Sequence, residues 1–317
     1  MHYVIGDVHG CYDELMSLIN KIEANDSEAQ FILVGDLIDR GPKVWEVLTW
    51  AMEHITPNGK YQSVRGNHEQ LAMDWFREYK VWYEENDEEE APRSHYDISR
   101  VLQERVYPTG RHAVHTPEDF QAIMSFFETL PYYKQIMVTN SLGWEVPYRI
   151  VHGWYDFREG DNTVMQHHAN LWERNYWGGR SDADEIIIFG HTPTVAHDFN
   201  LRGAGIDMPG FICYRQNSIN VDCGCVYGNR DAKYPYMLGA ICLETLEEIY
   251  PWNFEERMLQ LVQKNDTLFG GISKELYVEI VMEDYRERYG KCKLEDNFYR
   301  RKMKERFHFV DGGEEPA

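Results

Sequence analysis

Five times along this chain a short apolar run stops at a polar residue beside a glycine. Residues 2–5 lead into Gly6-Asp7-Val8-His9-Gly10, and residues 31–34 into Gly35-Asp36-Leu37-Ile38-Asp39-Arg40-Gly41. Residues 62–64 lead into Arg65-Gly66-Asn67-His68-Glu69, residues 149–151 into His152-Gly153, and residues 186–189 into Gly190-His191-Thr192. Short continuous apolar runs rich in β-branched residues read as buried strands. Between the first three, residues 11–24 carry Leu15, Leu18, Ile19 and Ile22 at helical spacing. Residues 43–55 do the same with Val44, Val47, Leu48 and Met52, behind a Pro42 suited to a first helical turn. A third helix is predicted from near His68 towards Tyr83. Strand and helix in alternation imply parallel strands and an α/β fold.

Further along, Thr116-Pro117-Glu118-Asp119 has the form of a helix start, with Ile123, Phe126 and Phe127 on the face that follows. A helical stretch is predicted near 163–174 and strand patterns at 211–226 and 236–250. Residues 84–90 hold six acids in seven positions, so 84–116 reads as an acidic inserted loop, most simply a solvated one. Residues 1–250 then form one unit. Residues 251–317 form a helical C-terminal extension whose last residues fray.

In an open α/β sheet, ligands lie beyond the carboxyl ends of the strands. The five run ends therefore bring Asp7, His9, Asp36, Asn67, His152 and His191 to one rim. One ion with an open position does not need six protein ligands. Two ions roughly 3.5–4 Å apart would use them all, with Asp36 as the natural bridge. A lone Asp-x-His is usually a solvated turn, and Gly-His-Thr is common by chance. Five such elements, each directly behind a strand pattern, are not.

Charge and composition narrow the partners. A net charge of −21 argues against a protein that tracks a nucleic-acid backbone, but says little about one phosphate held between cations and arginines. No apolar stretch is long enough to span a membrane, and the first strand begins too early to leave room for a cleaved signal, so a cytoplasmic location is expected. The six cysteines fit a reduced compartment. Cys223 and Cys225, two apart, are expected to face one side of a strand as small core residues. The aromatics are assigned to core and interfaces.

The set Gly-Asp-x-His-Gly, Gly-Asp-x-x-Asp-Arg-Gly, Gly-Asn-His-Glu, His-Gly and Gly-His-Thr resembles the phosphoprotein phosphatase family of binuclear metallophosphoesterases. Val64 to Gln70 is especially similar to the bacterial and bacteriophage serine/threonine protein phosphatases. The resemblance runs from residue 2 to about 245, through Ile219-Asn220-Val221-Asp222-Cys223-Gly224-Cys225-Val226-Tyr227-Gly228, and omits 84–116 and the C-terminal stretch. It implies a four-layer α/β/β/α sandwich with two divalent metal ions at one edge, Mn²⁺ foremost and Fe²⁺ or Zn²⁺ also suited. One ion would be held by Asp7, His9 and Asp36, the other by Asp36, Asn67, His152 and His191. A hydroxide bridging them would attack phosphorus directly, and the cysteines lack the Cys-x5-Arg phosphate loop of a covalent mechanism. Arg40 would grip phosphate oxygens, and Arg174 in Leu171-Trp172-Glu173-Arg174 resembles the second phosphate arginine of bacterial members. His68 would protonate the leaving group, with Asp39 orienting it.

Three functions follow from this reading. The first is a metal-dependent phosphomonoesterase acting on phosphoserine and phosphothreonine in proteins, or on small phosphoesters. The second is a symmetrical dinucleoside polyphosphate hydrolase of the same fold; such relatives usually carry Asp where this chain has Glu69. The third is a metal-stabilised binding scaffold without catalysis, disfavoured because every site residue is present. The family commonly has a small residue where Trp154 stands; a bulky ring beside the site could narrow it or form a wall for the leaving group, which bears on substrate class and not on the metal assignment.

Overall fold

The computed structural model describes residues 1–85, 117–174, 184–195, 209–229, 234–264, 273, 276–280, 283 and 298–309. Of the acidic insertion expected at 84–116, Glu84 and Glu85 end a helix, and residues 86–116 lie outside that set, as do the last residues of the chain. The opening alternation appears as β1 (His2–Ile5), α1 (Tyr12–Glu23), β2 (Gln30–Leu33), α2 (Val44–His54), β3 (Tyr61–Ser63) and α3 (Asn67–Glu85). β1 pairs with β2, and β2 with β3, in parallel. In α1 the buried positions are Leu15, Leu18, Ile19 and Ile22, one stripe of a 3.6-residue repeat. In α2 the buried face is Val44, Val47, Leu48, Trp50 and Ala51, and Met52 turns outward instead.

After α4 (Pro117–Thr129) the chain builds a second sheet from β4 (Tyr133–Thr139), β5 (Glu145–Val151), β6 (Ile186–Phe189), β7 (Cys213–Arg215) and β8 (Ser218–Asn220), with α5 (Val164–Trp172) between β5 and β6. Then come β9 (Ala240–Cys242), β10 (Glu248–Ile249), α6 (Phe254–Lys264) and α7 (Phe298–Arg306). The sheets run β10-β9-β1-β2-β3 and β4-β5-β6-β8-β7. β5, β6 and β8 are parallel; β4, β7, β9 and β10 pair antiparallel at the flanks.

Side chains alternate across a strand, and β1, β2 and β6 are largely dry on both faces, which is why their runs are apolar. Ile5, Phe31 and Leu33 face outward against Leu15, Val47, Leu48, Phe76 and Phe127 of the helices. Val4, Ile32 and Val64 face inward against Tyr148, Ile150, Ile186, Ile188 and Ile219 of the other sheet. Val151, Ile187 and Phe189 face out on the far side, where Trp154 and Tyr155 cover them. The result is an α/β/β/α sandwich with its principal core between the sheets. From the C-terminal stretch, Met303, Phe307 and Phe309 enter that same inter-sheet core.

A second local expectation fails. Cys223 and Cys225 do not share a strand face, because the chain turns into a 3-10 helix at Cys225–Asn229. Cys223 joins the inter-sheet core and Cys225 the helix-covered one. Gly224, in the left-handed region at φ 74°, lets the backbone make that turn.

The inter-sheet layer contains one buried cross-sheet hydrogen bond that tests its packing. Tyr148 on β5 donates its hydroxyl to the Leu243 carbonyl, next to β9, at 2.7 Å. Tyr148→Phe keeps the ring and strands that carbonyl, so ~1–3 kcal/mol of stability is expected to be lost. Urea denaturation should show a lower midpoint with an unchanged slope; an unchanged midpoint would remove the bond from the account.

Candidate metal centre

The rim is a set of strained loops held by each other's backbones. His9, Asp36, Asp39, Arg40 and His191 all have positive φ, between 44° and 69°, a region costly for residues with a Cβ. The His9 N–H donates to the Asp36 carbonyl at 2.8 Å and Gly10 to Leu37 at 2.9 Å, which locks the loops after β1 and β2 together. Across the sandwich, the His191 N–H donates to both Asp7 carboxylate oxygens, at 3.0 and 3.2 Å. The His152 ring donates from Nδ1 to the Val34 carbonyl at 2.9 Å. The glycines are required by proximity. A Cβ on Gly66 would overlap the Asp36 carboxylate, and one on Gly190 the Asp7 carboxylate.

Asp36 is the hub. Its Oδ2 lies 3.3 Å from His9 Nε2 and 3.9 Å from His68 Nε2, and its Oδ1 lies 3.3 Å from His152 Nε2. Asn67 Oδ1 lies 2.9 Å from both His152 Nε2 and His191 Nδ1. His9 donates Nδ1–H to the Ile38 carbonyl at 2.8 Å, so its Nε2 presents a lone pair to the cleft. His152 is committed in the same way to Val34. Two donor triads result, His9–Asp36–His68 and Asp36–His152–His191, each with its atoms within 4.8 Å of one another. Beside them, His68 Nδ1 is 2.5 Å from Asp39 Oδ2, and the Arg40 guanidinium reaches His9 Nε2 at 2.9 Å and His68 Nε2 at 2.8 Å.

These residues fit divalent cations. The neutral His152 Nε2, Asn67 Oδ1 and Asp36 Oδ1 are all acceptors, and a shared positive charge draws such a set together. In the metal-free chain a proton supplies it. Burial opposes protonation of His152, but the Asp36 charge overrides it and pushes the imidazole up to about 9. His191 is pushed down to about 3, by burial and then by the charge on His152. Burial likewise opposes the Asp36 anion, and His152, His68 and His9 hold it well below the usual carboxylate range.

Residues 3–214 match the family model for the calcineurin-like phosphoesterases. The chain belongs to that family. Its members use divalent metals, in keeping with the donor triads. A symmetrical bis(5'-nucleosyl)-tetraphosphatase of Neisseria gonorrhoeae is 43% identical over 68 residues, 22% of this chain and 24% of that enzyme. The chain thus spans about a quarter of that curated relative. The asymmetrical bis(5'-nucleosyl)-tetraphosphatase PrpE of Oceanobacillus iheyensis is 24% identical over 74% of this chain and 87% of its own length. Serine/threonine-protein phosphatase 1 of Salmonella typhimurium is 27% identical over 60% of this chain and 78% of its own.

In this calcineurin-like phosphoesterase the six candidate ligands, with His68, Asp39 and Arg40, are gathered at one rim. Asp7 is the one drawn aside, with both oxygens on the His191 N–H. Arg174, at the exit of α5, is exposed and places Nη1 3.4 Å from the His191 carbonyl. Trp154 does not wall the cleft. Its ring is buried edge-on against Phe189, 5.5 Å between centroids, in the cluster that covers the outer face of the second sheet, and the N–H groups of Gly153 and Trp154 donate into the end of α5. The Trp172 ring stands 6.4 Å from that of His191.

Two buried carboxylates beside the rim were not among the candidate site residues. Asp222 is buried between Asp7, His9 and Arg40 in charge terms; burial and then the Asp222 charge raise the Asp7 carboxyl well above its ordinary value. The signal was available, because Ile219-Asn220-Val221-Asp222 is a sixth apolar run ending in Asp, behind β8. Glu69 is fully buried and accepts the N–H groups of Asp36, Leu37 and Gly66 at 3.0, 2.9 and 2.8 Å. Burial, then the Asp36 charge, pushes its carboxyl up to about 7. Nothing in a linear motif distinguishes such a loop anchor from a ligand.

Glu69→Gln places an NH₂ group against backbone donors that now share a carboxylate. At least one buried donor is then stranded, at ~1–3 kcal/mol. Metal affinity should fall with it, since the Asp36 loop loses its anchor. Thermal denaturation and metal titration should both shift. A variant with wild-type stability would mean that the three bonds are dispensable.

Proposed function

We propose that this chain is a metal-dependent phosphomonoesterase acting on phosphoserine and phosphothreonine in proteins. The observation that carries this reading is the pair formed by His68 and Asp39, 2.5 Å apart and largely buried, beside the donor triads. An alkoxide is a poor leaving group and needs a proton as the bond to phosphorus breaks; a phosphate leaving from an anhydride needs it far less. A positioned acid is therefore most useful to an ester hydrolase. The phosphatase of Salmonella supports the same class.

Asp7, His9 and Asp36 would hold one cation, and Asp36, Asn67, His152 and His191 the other. The mixed nitrogen and oxygen set suits Mn²⁺ first in our reading, with Fe²⁺ or Zn²⁺ as the outcomes a metal assay would separate. When bound, the cations polarise the phosphoryl oxygens and acidify the attacking water. The protein's own groups do the rest. Arg40 now donates towards the nitrogens of His9 and His68, and its exposed, forked head is free to turn those donors on phosphate oxygens. That exchange leaves His68 Nε2 able to carry the proton it gives to the ester oxygen. Asp39 holds the ring from Nδ1, and its other oxygen, Oδ1, is buried without a hydrogen-bond partner among the described residues, so the carboxylate is committed to His68. Arg174 would bind phosphate from the α5 side.

The second reading is hydrolysis of dinucleoside polyphosphates, favoured by the names of the Neisseria and Oceanobacillus relatives. Glu69 does not separate the two directly, because its carboxylate faces backbone N–H groups rather than the cleft. A substrate panel with Mn²⁺ does. Phosphoserine and phosphothreonine peptides are expected to exceed a dinucleoside tetraphosphate in kcat/KM; the reverse order would establish the second reading.

The acid makes a separate prediction. His68→Asn should leave the metal content unchanged and lower kcat on phosphopeptides by ~10²–10⁴-fold, with a smaller loss on an aryl phosphate. Because His68 also stands within a donor triad, metal analysis decides its role. Loss of metal, or equal losses on both substrates, would make it a ligand instead.

A further inference from the structure

We propose that Cys11, Glu14 and Cys225 form a separate metal site for one thiophilic divalent cation of the zinc class, behind the loop that carries His9. Their Sγ, carboxylate oxygen and Sγ atoms lie within 4.8 Å of one another. A tetrahedral zinc ion, with bonds of ~2.3 Å to sulfur and ~2.0–2.2 Å to oxygen, sets its ligand atoms roughly 3.5–3.8 Å apart, inside that span. Cys11 and Cys225 are 2% and 3% exposed, and the Glu14 side chain 12%.

Two elements meet here. Cys11 precedes α1 and Glu14 lies in its first turn, three residues on, so the two share a face. Cys225 opens the 3-10 helix. The surroundings balance the charge. Two thiolates, one carboxylate and a dication sum to −1, and the Arg257 guanidinium lies 3.4 Å from Glu14. Arg257 is 1% exposed and is pinned by the Pro235 and Tyr236 carbonyls at 3.0 and 2.9 Å, so its charge is fixed in place. A buried charged cluster is tolerated when it is paired in this way. Binding transfers the two thiol protons to solvent and forms two metal–sulfur bonds, with no change in oxidation state.

None of the three residues belongs to the rim set. They are nonetheless wired to it, because Cys11 Sγ lies 3.8 Å from the His9 carbonyl. The soft sulfur donors distinguish this site from the nitrogen and oxygen donors of the rim, and that difference supplies the test. The reduced full-length chain, loaded with Mn²⁺, is titrated with Cd²⁺ while the ultraviolet thiolate-to-metal charge-transfer band is followed. The band should saturate at one equivalent and vanish in Cys11→Ser and in Cys225→Ser. Glu14→Gln should weaken Cd²⁺ binding by at least the roughly 10–100-fold that loss of an outer-shell partner costs. His191→Asn, which alters only the rim, should keep the band. X-ray absorption of the zinc-loaded wild-type chain guards against a variant that fails to fold, and should show sulfur at ~2.3 Å. A band that survives Cys225→Ser, or a zinc shell of nitrogen and oxygen alone, overturns the proposal.

Discussion

A buried negative charge, that of Asp36, organises this molecule. Three imidazoles, from His9, His68 and His152, stand within 3.9 Å of its two oxygens, and they come from both sheets. An isolated carboxylate in such a place would be protonated or expelled. Here the surrounding histidines hold it ionised against the cost of burial. Much else at the rim serves that arrangement. Glu69 fixes the backbone of Asp36 from behind, and the His68 N–H completes the coordination of Oδ1 at 3.0 Å. The same negative hub that protonates His152 in the metal-free chain would hold two cations together, so proton and metal compete for one electrostatic niche.

Strain is the companion of that charge. Five rim residues with side chains occupy the left-handed region, each at a cost of order 1–3 kcal/mol. Loops alone would relax. They do not because every one is bonded to a neighbour on another strand end, and because the parallel strands beneath them are buried on both faces. The sandwich, in this sense, is a device for holding five unfavourable backbone turns side by side.

Much of this was legible in the sequence, and the reasons are specific. Strands dry on both faces must be apolar throughout, so β1, β2 and β6 announced themselves, and ligands in α/β sheets lie at strand ends. The parallel order of β1, β2 and β3 followed from the helices between them. The gathering of Asp7, His9, Asp36, Asn67, His152 and His191 at one rim required only that rule. What failed depended on contacts between distant segments or on a single turn of the backbone. The side on which Trp154 packs is set by its place against Phe189 in the outer core of the second sheet, which no linear motif displays. Cys223 and Cys225 were expected to share a face, but the turn at Gly224 separates them. Glu69 and Asp222 were visible as residues and opaque as roles, because an anchor and a ligand share one chemistry and differ only in where the carboxylate points.

The division of the rim between two sheets has an evolutionary side. Asp7, His9, Asp36 and Asn67 ride on one sheet, and His152 and His191 on the other; their spacing is set by the thickness of the layer between, filled by Val4, Ile32, Tyr148, Ile150 and Ile188. Interiors packed at crystal-like density transmit a change of one methylene. A conservative substitution deep in that layer, far from any substrate, would widen or narrow the gap across which the two half-sets must meet. Neutral drift is therefore restricted in an unusual place. Volume gained on one sheet must be surrendered on the other, so the history of this layer should be written in matched pairs of exchanges rather than in single ones.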